Sequence, residues 1–363
     1  MKNHRVTIWT TSQYLYDQRI QRIHQVMVDA GMQVKIFDRA TSQYPEGELK
    51  STFSKGPAMY FDYNRRIASQ VKKQKADLIY AADIDVMPGL IWGLQGSSNR
   101  RLLLDLHEWF PEVIELEGKP MKKAIWKWVE RKSVAFANSV VTINQAYANI
   151  FQSKYHRPVD VIRNVPWLKP APEVDVGNRL KDKILYYQGA INHGRGLPEI
   201  IKSLHLLPGW KLWLVGDGDI LDELKLLSRR ENLDNRVEFK GRRLPEELVR
   251  FASAATVGLN LLDHKSGSYY YSLANKYFDY MHALLPSIHM NFPEYQNLMD
   301  EIQTGALVTG LNPRDIARAI KQMTVNEDHY RYMIDSCLRG RQTYNWQQES
   351  LKLRAILSSS LGH

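Results

Sequence analysis

The sequence contains almost no cysteine, since Cys337 is the single one among 363 residues. An internal disulfide framework and a zinc site built from cysteines are therefore excluded, and a reducing compartment, the cytosol, is expected. Long apolar runs are lacking too, because no stretch approaches the ~20 residues that a membrane-spanning helix needs. The opening residues, MKNHRVTIWTTSQY, have no signal-peptide cleavage pattern and are predicted to form a strand. Any contact with a membrane is thus expected to be peripheral.

The composition is that of a folded protein rather than a disordered or fibrous one. Hydrophobic residues make up 44% of the chain and charged residues 24%. At ~150 residues per domain, the length predicts two domains. The formal charge is +10, and residues 1–165 carry most of it, with 24 basic and 16 acidic side chains. Nucleic acid, an anionic membrane surface and an acidic substrate would each suit this charge, and composition does not choose among them.

Short β-rich runs alternate with stretches of helical spacing in both halves of the chain. The alternation indicates βαβ units, so we predict an α/β fold with two Rossmann-like, doubly wound parallel-sheet domains that face a central cleft. Ligands of such sheets bind beyond the carboxyl ends of the strands. The predicted strands are Arg5–Thr11, Gln33–Asp38, Asp77–Ala82, Arg101–Leu106, Ser139–Asn144, Val159–Val165, Lys183–Gln188, Lys211–Val215, Arg236–Lys240, Thr256–Leu262, Pro286–Met290 and Ala306–Thr309.

Prolines mark the expected boundary between the two domains. Pro166, Pro170, Pro172 and Gly177 punctuate a segment that is too proline-rich for a helix or a central strand. We therefore predict domains at 1–166 and 181–342, a linker at 167–180, and a C-terminal helix at 343–363 that packs back toward the first domain.

The run ILYYQGAINHGRGLPEII is the most informative local signal. Gly189, Gly194 and Gly196 would let backbone amides approach an anion, and the helix that follows would add a favourable dipole. The run matches a P-loop only as far as G-x-x-x-x-G, because Arg195 and Gly196 replace the Lys and the Ser/Thr that would hold magnesium. A phosphate site without a metal ion is predicted, and an ordinary glycine-rich turn stays open as the alternative.

GDGDIL, after the strand Lys211–Val215, is a partial G-x-G-x-x-G in which Leu221 replaces the third glycine. The dinucleotide fingerprint belongs at the first βα turn, whereas this run follows the second strand of its half. We interpret it as a tight turn capped by Asp217 or Asp219.

Two pairs of titratable residues follow strands of the first half. Asp83 and Asp85 form an Asp-x-Asp that could hold a divalent ion, but helix capping before Pro88 is the favoured interpretation. His107 and Glu108 follow the strand Arg101–Leu106, where a surface histidine and a functional one are equally compatible with the residues alone.

The segment KPMKKAIWKWVERKSVAFAN combines basic residues with tryptophans. On a helix its apolar residues share one face, so core packing with a solvated basic side is the favoured prediction. Contact with an anionic bilayer is the alternative, in which each basic residue adds ~1 kcal/mol. The residues of the apolar face are Met121, Ile125, Trp128, Val129 and Phe136.

Taken together, several runs resemble the retaining, nucleotide-sugar-dependent glycosyltransferases of family four, which have the GT-B fold. The second half contributes GAINHGRGLPEIIKSL, LWLVGDGD, VEFKGRRLPEEL, SLANKYFDYMHALLPSI and YNWQQESLKL. In the first half, DLHEWFPEVIELEGKP and the stretch from VVTIN to VIRNVP resemble acceptor domains of bacterial members. The order and spacing of these runs match over nearly the whole chain.

The resemblance implies roles for individual residues. Arg195 and Lys276 match the basic residues that face the donor diphosphate, and His107 matches the histidine that faces the donor sugar. Asp279 falls where the second Glu of Glu-x7-Glu holds the ribose. The implied catalytic residues are His107, Arg195 and Lys276, and the implied nucleotide-sugar site comprises Gly189, Gly194, Arg195, Gly241, Arg242, Asn275, Lys276 and Asp279, with Gly241 and Arg242 beside the nucleobase.

Four residues depart from the family pattern. Tyr271 occupies the place of the first signature Glu, and Asp279 is one methylene shorter than the usual second Glu. Ala274 stands where the family has proline. Leu284 stands where the family has the glycine of A-G-x-P, so leucine is expected to be strained by about 1 kcal/mol or more if the backbone there has positive φ.

The function implied is transfer of a sugar from a nucleotide sugar to a saccharide or lipid-linked saccharide, with retention and without a metal ion or other cofactor. UDP- and GDP-sugars are favoured over ADP-sugars, and the implied setting is bacterial surface polysaccharide synthesis in the cytoplasm or peripherally on the inner face of the membrane. A weak or inactive relative that keeps nucleotide binding is one alternative. A basic nucleic-acid-binding protein is the other, although no recognition motif is legible and no nucleic-acid partner is expected.

Overall fold

Two compact units make up the chain, and each is built on its own parallel sheet. The computed structural model describes residues 3–39, 49, 51–53, 56–96 and 101–362. The first unit comprises Met1–Asn164 and Trp346–His363, and the second comprises Val165–Asn345. No helix within the described ranges is long and apolar enough to cross a membrane.

Six strands form the sheet of the first unit: β1 (Arg5–Thr10), β2 (Gln33–Phe37), β3 (Leu78–Ala82), β4 (Arg101–Leu106), β5 (Ser139–Thr142) and β6 (Asp160–Val161). Their order is β2-β1-β3-β4-β5-β6, and all neighbours are parallel. β3 is buried at every residue, as expected for a central strand covered on both faces. β6 is shorter than predicted because its partner β5 ends at Thr142, whose carbonyl accepts from the Ile162 amide (2.8 Å).

The helices of the first unit begin where the sequence supplies a capping side chain or a proline. Asp17 accepts from the Ile20 amide at the start of α1, and Asn144 accepts from the Tyr147 amide at the start of α5. Pro120 is the first residue of α4. The helices are α1 (Gln18–Asp29), α2 (Gly56–Val71), α3 (Met87–Leu94), α4 (Pro120–Phe136) and α5 (Gln145–Tyr155).

The prediction that the apolar face of α4 packs in the core is wrong for most of its residues. Val129 is buried, but Met121 is 81% exposed, Ile125 59% and Trp128 54%. Helical spacing places these side chains on one face, but it does not determine whether another element covers that face. The core instead receives Glu130, Ser133 and Val134 from this helix.

Six strands also form the sheet of the second unit: β7 (Ile184–Gln188), β8 (Lys211–Val215), β9 (Val237–Gly241), β10 (Val257–Asn260), β11 (Ser287–Met290) and β12 (Gly305–Val308). Their order is β12-β11-β10-β7-β8-β9, again with parallel neighbours. The twelve predicted strands are thus confirmed, with each end within four residues of its predicted position.

Nine helices lie in the described residues of the second unit: α6 (Val176–Asp182), α7 (Leu197–Ser203), α8 (Leu221–Arg230), α9 (Pro245–Ala254), α10 (Gly267–Tyr270), α11 (Asn275–His282), α12 (Pro293–Glu301), α13 (Pro313–Met323) and α14 (Glu327–Thr343). The linker predicted at 167–180 extends too far, because α6 begins inside it. The prolines all precede Asp175, whose side chain accepts from the Asn178 amide and starts the helix.

The last helix, α15 (Trp346–Leu361), belongs to the first unit. Arg101 of β4 donates to the Ser360 carbonyl (2.8 Å), and Ser139 of β5 hydrogen-bonds the Ser360 hydroxyl (3.0 Å). The guanidinium of Arg22 lies 5.6 Å from the centre of the Trp346 ring. These contacts fix both ends of α15 on the first sheet and on α1.

Candidate functional site

Three glycines bring the ends of adjacent strands in the second sheet into backbone contact. Gly189 follows β7, Gly216 follows β8 and Gly241 ends β9, and all three have positive φ. The Gly216 amide donates to the Gly241 carbonyl (3.0 Å). A Cβ on Gly216 would lie 1.9 Å from the Gly189 carbonyl oxygen, so only glycine fits there.

The loop from Gly189 to Gly196 connects this rim to α7. Gly194 and Gly196 both have positive φ. The Gly194 carbonyl accepts from the Asp263 amide (2.9 Å), which joins the loop to the chain after β10. No side chain caps α7, because Gly196 occupies the capping position. The backbone therefore has the open, glycine-dependent course that the sequence predicts.

Lys276, in the first turn of α11, is buried beside this loop. Its side chain is 9% exposed, and its Cε would lie 3.2 Å from a Cβ on Gly189. Its Nζ lies 5.1 Å from the centre of the Tyr187 ring. Burial and, to a smaller extent, the positive charge of Arg195 lower the pKa of Lys276 to about 7, against the opposing charge of Asp279.

Arg195, in the glycine loop, lies close enough to Lys276 to interact with it electrostatically. Its guanidinium carbon is 4.7 Å from the centre of the Tyr269 ring, a cation–π contact. The charge of Arg195 lowers the pKa of both Lys276 and Tyr187. For Tyr187 burial has the larger effect and raises the pKa to about 12. Asp279 supplies negative charge near Lys276. Two positive groups and one carboxylate therefore meet at the glycine loop.

α11 also carries Asn275 and Asp279. Asn275 is exposed at the first position of the helix. Asp279 lies one turn after Lys276, and its carboxylate accepts from the side-chain amide of Gln188 (2.8 Å), the last residue of β7. Tyr186 donates to the Gln188 side-chain oxygen (3.0 Å), which fixes the amide orientation. Asp279 is thus held at the same strand end as the glycine loop.

The rim after β8 and β9 is built from turns, as predicted for GDGDIL. Asp217 accepts from the Gly218 amide (2.9 Å), and a Cβ on Gly218 would lie 2.4 Å from the Ile191 carbonyl oxygen. Of the two caps predicted for this turn, Asp217 is therefore the one observed, and the Asp219 amide instead donates to the side chain of Asn192 (3.1 Å). Gly241 has open space around its Cα, and Arg242 beside it is exposed.

His107, at the end of β4 in the first unit, is held by a buried network. Its Nε2 lies 2.7 Å from the Asp105 carboxylate, which also receives two hydrogen bonds from Arg19 (2.8 Å each) and one from Tyr80. Burial would raise the pKa of Asp105, but the charge of Arg19 holds it well below its usual range. Burial opposes protonation of His107, yet Asp105 outweighs it, so the pKa of His107 is raised.

Asp83 and Asp85 differ in what they bind. Asp83 accepts from the Ile84 amide and caps the short 3₁₀ turn that follows, as predicted. Asp85 instead accepts from the hydroxyl of Thr11, so the capping prediction is wrong for this residue. Among the residues described, no group of three or more His, Cys, Asp and Glu side chains has the geometry of a metal site.

Comparison with known proteins identifies the family. Residues 17–165 match the model of Glycosyltransferase Family 4, and residues 182–326 match that of Glycosyl transferases group 1. A search of curated sequences found no match. Sucrose-phosphate synthase from Thermosynechococcus elongatus is 18% identical, with a TM-score of 0.82 over 98% of this chain and 99% of that one. The chain is a family 4-like glycosyltransferase with the GT-B fold.

Two further structures resemble this transferase along its whole length. HepE from Anabaena in complex with UDP-glucose is 16% identical, with a TM-score of 0.72 over 98% of this chain and 100% of that one. WaaG, a glycosyltransferase involved in lipopolysaccharide biosynthesis, is 12% identical, with a TM-score of 0.73 over 97% of this chain and 99% of that one. At these identities the likeness concerns the fold.

Local contacts of the transferase account for two of its departures from the family pattern. The Ala274 amide donates to the Tyr295 hydroxyl (2.9 Å), a bond that proline could not make. Leu284 has φ +52°, which confirms the positive φ expected there. The left-handed backbone costs about 1–2 kcal/mol, and burial of the leucine side chain offsets this by about 1.5–3 kcal/mol. The Leu284 carbonyl is further fixed by Arg179 of α6.

Sequence reasoning missed several residues that shape these sites. Asp105 lies on β4, two residues before His107, and this spacing alone predicts that the two side chains point to the same side. Arg19 lies 86 residues from Asp105, and no local pattern connects them. No sequence pattern indicates that Tyr187 and Tyr269 belong to the site, which follows only from their ring contacts with Lys276 and Arg195.

Proposed function

We propose that the transferase moves a sugar from a UDP-sugar to a saccharide acceptor, with retention at the anomeric carbon and without a metal ion. The observation that carries the proposal is the pair of cations at the glycine loop. Arg195 and Lys276 lie close enough there for the charge of Arg195 to lower the pKa of Lys276, and Asp279 opposes that effect only in part. A diphosphate would supply the missing negative charge, and the loop amides would hydrogen-bond its oxygens.

The chemistry requires stabilisation of the leaving group. As the sugar–phosphate bond breaks, negative charge grows on the diphosphate, and fixed donors in a dry site are each worth roughly 2–4 kcal/mol. Arg195 and Lys276 would supply this stabilisation, and Asp279 would hold the ribose hydroxyls. Retention follows if the acceptor attacks on the leaving-group face, so no covalent nucleophile is assigned. His107, whose Nε2 is held by Asp105, stays the proposed sugar-binding histidine of the first unit, as the family resemblance implies.

Structural neighbours support the choice of UDP over GDP. HepE has been crystallised with UDP and with UDP-glucose, S. aureus TarM with UDP, and the pneumococcal transferase GtfA with UDP and GlcNAc. The proposed setting is cytoplasmic synthesis of a bacterial surface polysaccharide, peripheral to the membrane. Support for the membrane side comes from exposed Met121 and Trp128 among the lysines of α4.

The test is binding of UDP with and without a chelator. UDP at 100 times its dissociation constant should raise the free energy of unfolding by ~2.7 kcal/mol in a thermal-shift measurement, and EDTA should leave this shift unchanged. Loss of the shift in EDTA would refute metal independence, and absence of a shift with every nucleoside diphosphate would refute the donor assignment. Slow hydrolysis of UDP-glucose in the absence of acceptor distinguishes an active enzyme from a relative that only binds.

Affinity for UDP-glucose should decrease as the pH rises from 6 to 9. Lys276 titrates at a pKa of about 7 in the free protein, and a bound diphosphate favours the protonated form. The affinity therefore decreases by up to about tenfold per pH unit above pH 7, and binding at pH 8 takes up a proton. Calorimetry in two buffers of different ionisation enthalpy measures this uptake. UDP-glucose is the appropriate ligand because its diphosphate diester does not titrate in this range.

The Lys276→Met variant is the control for this pH dependence. It keeps the apolar stem and cannot take up the proton, so its weaker binding should be nearly independent of pH. A proton uptake equal to that of the unaltered chain would assign the titration to another group and contradict the prediction.

A further inference from the structure

A buried polar network connects three elements of the second unit beside the start of α11. Asn260 ends β10, His289 lies on β11 and Tyr295 on α12, and their exposed fractions are 1%, 0% and 0%. The side-chain nitrogen of Asn260 lies 3.0 Å from Nδ1 of His289 and 3.1 Å from the Tyr295 hydroxyl. The rings of His289 and Tyr295 are stacked, with their centres 5.1 Å apart. The proposed reaction uses none of the three, although burial of polar side chains costs free energy even when they are paired.

The Tyr295 hydroxyl extends this network to the first turn of α11. It accepts from the amide of Ala274 (2.9 Å), which occupies the capping position of that helix. In a capping box this amide would be bound by a Glu three residues later, but Tyr277 stands there. Ala274 has φ −67°, the angle to which proline is confined, whereas alanine is free to leave it. A hydroxyl from the neighbouring helix α12 therefore fixes a turn that the sequence of α11 does not fix by itself.

Lys276 lies in this first turn, between two residues that the network contacts. Before it, the Ala274 amide donates to Tyr295. After it, the ring centre of Tyr277 lies 4.8 Å from that of His289. Burial and, to a smaller extent, the charge of Lys276 lower the pKa of His289 to about 3, so the imidazole is neutral and adds no positive charge beside the ammonium. The network thus holds the backbone on both sides of Lys276 without repelling its charge.

We propose that Tyr295 is a positioning residue: its hydroxyl fixes the start of α11 and so holds the Lys276 ammonium at the glycine loop. Asn260 and His289 hold the hydroxyl in turn. A lysine side chain has many rotamers, and a fixed backbone reduces the ordering that binding of a diphosphate must supply. Tyr295 acts through Lys276 and is not assigned to a contact with substrate. The inference rests on the proposed function, because it concerns how the diphosphate-binding lysine is placed.

The test is the UDP affinity of Tyr295→Phe, measured by calorimetry on the full chain at pH 6. The variant keeps the ring but leaves the Ala274 amide without its acceptor, so UDP should bind about three- to tenfold more weakly. In the Lys276→Met background the same substitution should change UDP affinity less than about twofold, because no ammonium is left to position. A loss by the same factor in both backgrounds would show a general structural effect and overturn the proposal, as would an unchanged affinity of Tyr295→Phe.

Tyr277→Phe is the matched control, because it removes a second buried tyrosine hydroxyl from the same group of rings. That hydroxyl accepts from the side chain of Thr304 (3.2 Å) rather than from the backbone of α11. The control should alter UDP affinity less than about twofold. Equal losses of UDP affinity in Tyr277→Phe and Tyr295→Phe would refute a specific role for the Tyr295 hydroxyl.

Asn260→Ala provides the same test if Tyr295→Phe does not fold. It leaves the Tyr295 hydroxyl in place but removes the Asn260 amide that holds it. UDP should bind this variant at least about threefold more weakly, and the substitution should again have less than about a twofold effect in the Lys276→Met background. Undiminished UDP binding by Lys276→Met would refute the diphosphate role of that lysine. Weakened binding by Lys276→Met with unchanged binding by the Tyr295 and Asn260 variants would refute the positioning role alone.

Discussion

UDP should bind the Lys276→Met variant roughly 10- to 150-fold more weakly than the unaltered chain at pH 6. The variant removes a charged donor from a buried phosphate site, where such a hydrogen bond is worth about 1.5–3 kcal/mol. The rate of sugar transfer should decrease by roughly 30- to 1,000-fold, because negative charge on the leaving diphosphate is greatest in the transition state. Calorimetry measures the first effect, and single-turnover kinetics with saturating donor measure the second.

The stability of the unliganded protein separates this role from a structural one. Burial and Arg195 lower the pKa of Lys276 from 10.5 to about 7, so a protonated Lys276 disfavours folding at pH 6. The free energy of unfolding of Lys276→Met should therefore equal or exceed that of the unaltered chain, although its affinity for UDP is lower. Between pH 7 and 10.5 the unfolded chain binds the extra proton, so the stability of the unaltered chain rises with pH, and Lys276→Met should lack this rise.

Arg195→Ala should weaken UDP binding by a similar factor, but the effects of the two substitutions on the binding free energy should not be additive. Removal of Arg195 relieves the repulsion on Lys276, so the pKa of Lys276 rises and the pH midpoint of UDP binding moves upward. Lys202→Ala, at an exposed lysine on the neighbouring helix α7, should change UDP affinity less than twofold. Undiminished UDP binding by both Arg195→Ala and Lys276→Met would contradict the assignment of a diphosphate to this loop.

Local patterns were sufficient for the strands and for the glycine loop. Runs such as Lys211–Val215 and Arg101–Leu106 are apolar and bounded by turn residues, so strand formation depends on few distant partners. The course of the loop follows from Gly189, Gly194 and Gly196, which adopt backbone angles that other residues avoid. The meeting of Arg195 with Lys276 was expected from the family resemblance rather than from spacing.

Features that depend on distant contacts were not predictable. The exposure of Ile125 and Trp128 depends on whether another element covers α4, and helical periodicity does not carry that information. β6 ends early because its partner strand β5 ends at Thr142. α6 begins inside the predicted linker because Asp175, which follows the last of the prolines, caps the amide of Asn178 and so starts a helix.

Asp105→Ala should lower the free energy of unfolding of the first unit by about 3–5 kcal/mol. Asp105 and Arg19 are 0% and 3% exposed, and the variant leaves the guanidinium buried without its carboxylate. Urea denaturation followed by circular dichroism measures the loss. Asp77→Ala, just before β3, removes the exposed pair of Asp77 with Arg5 (3.9 Å) and the bond from the Arg5 amide (2.7 Å), and should cost no more than about 1.5 kcal/mol.

A double-mutant cycle then distinguishes ion pairing from packing. Arg19→Met should partly restore the stability of Asp105→Ala, because no unpaired charge remains buried. The pKa of His107 is raised by Asp105, so this pair stabilises the folded state below pH 6.5, and the contribution is lost as the pH rises through the folded pKa. The pKa of His107, measured by NMR, should therefore decrease in Asp105→Ala; an unchanged pKa would show that Asp105 does not hold the imidazole.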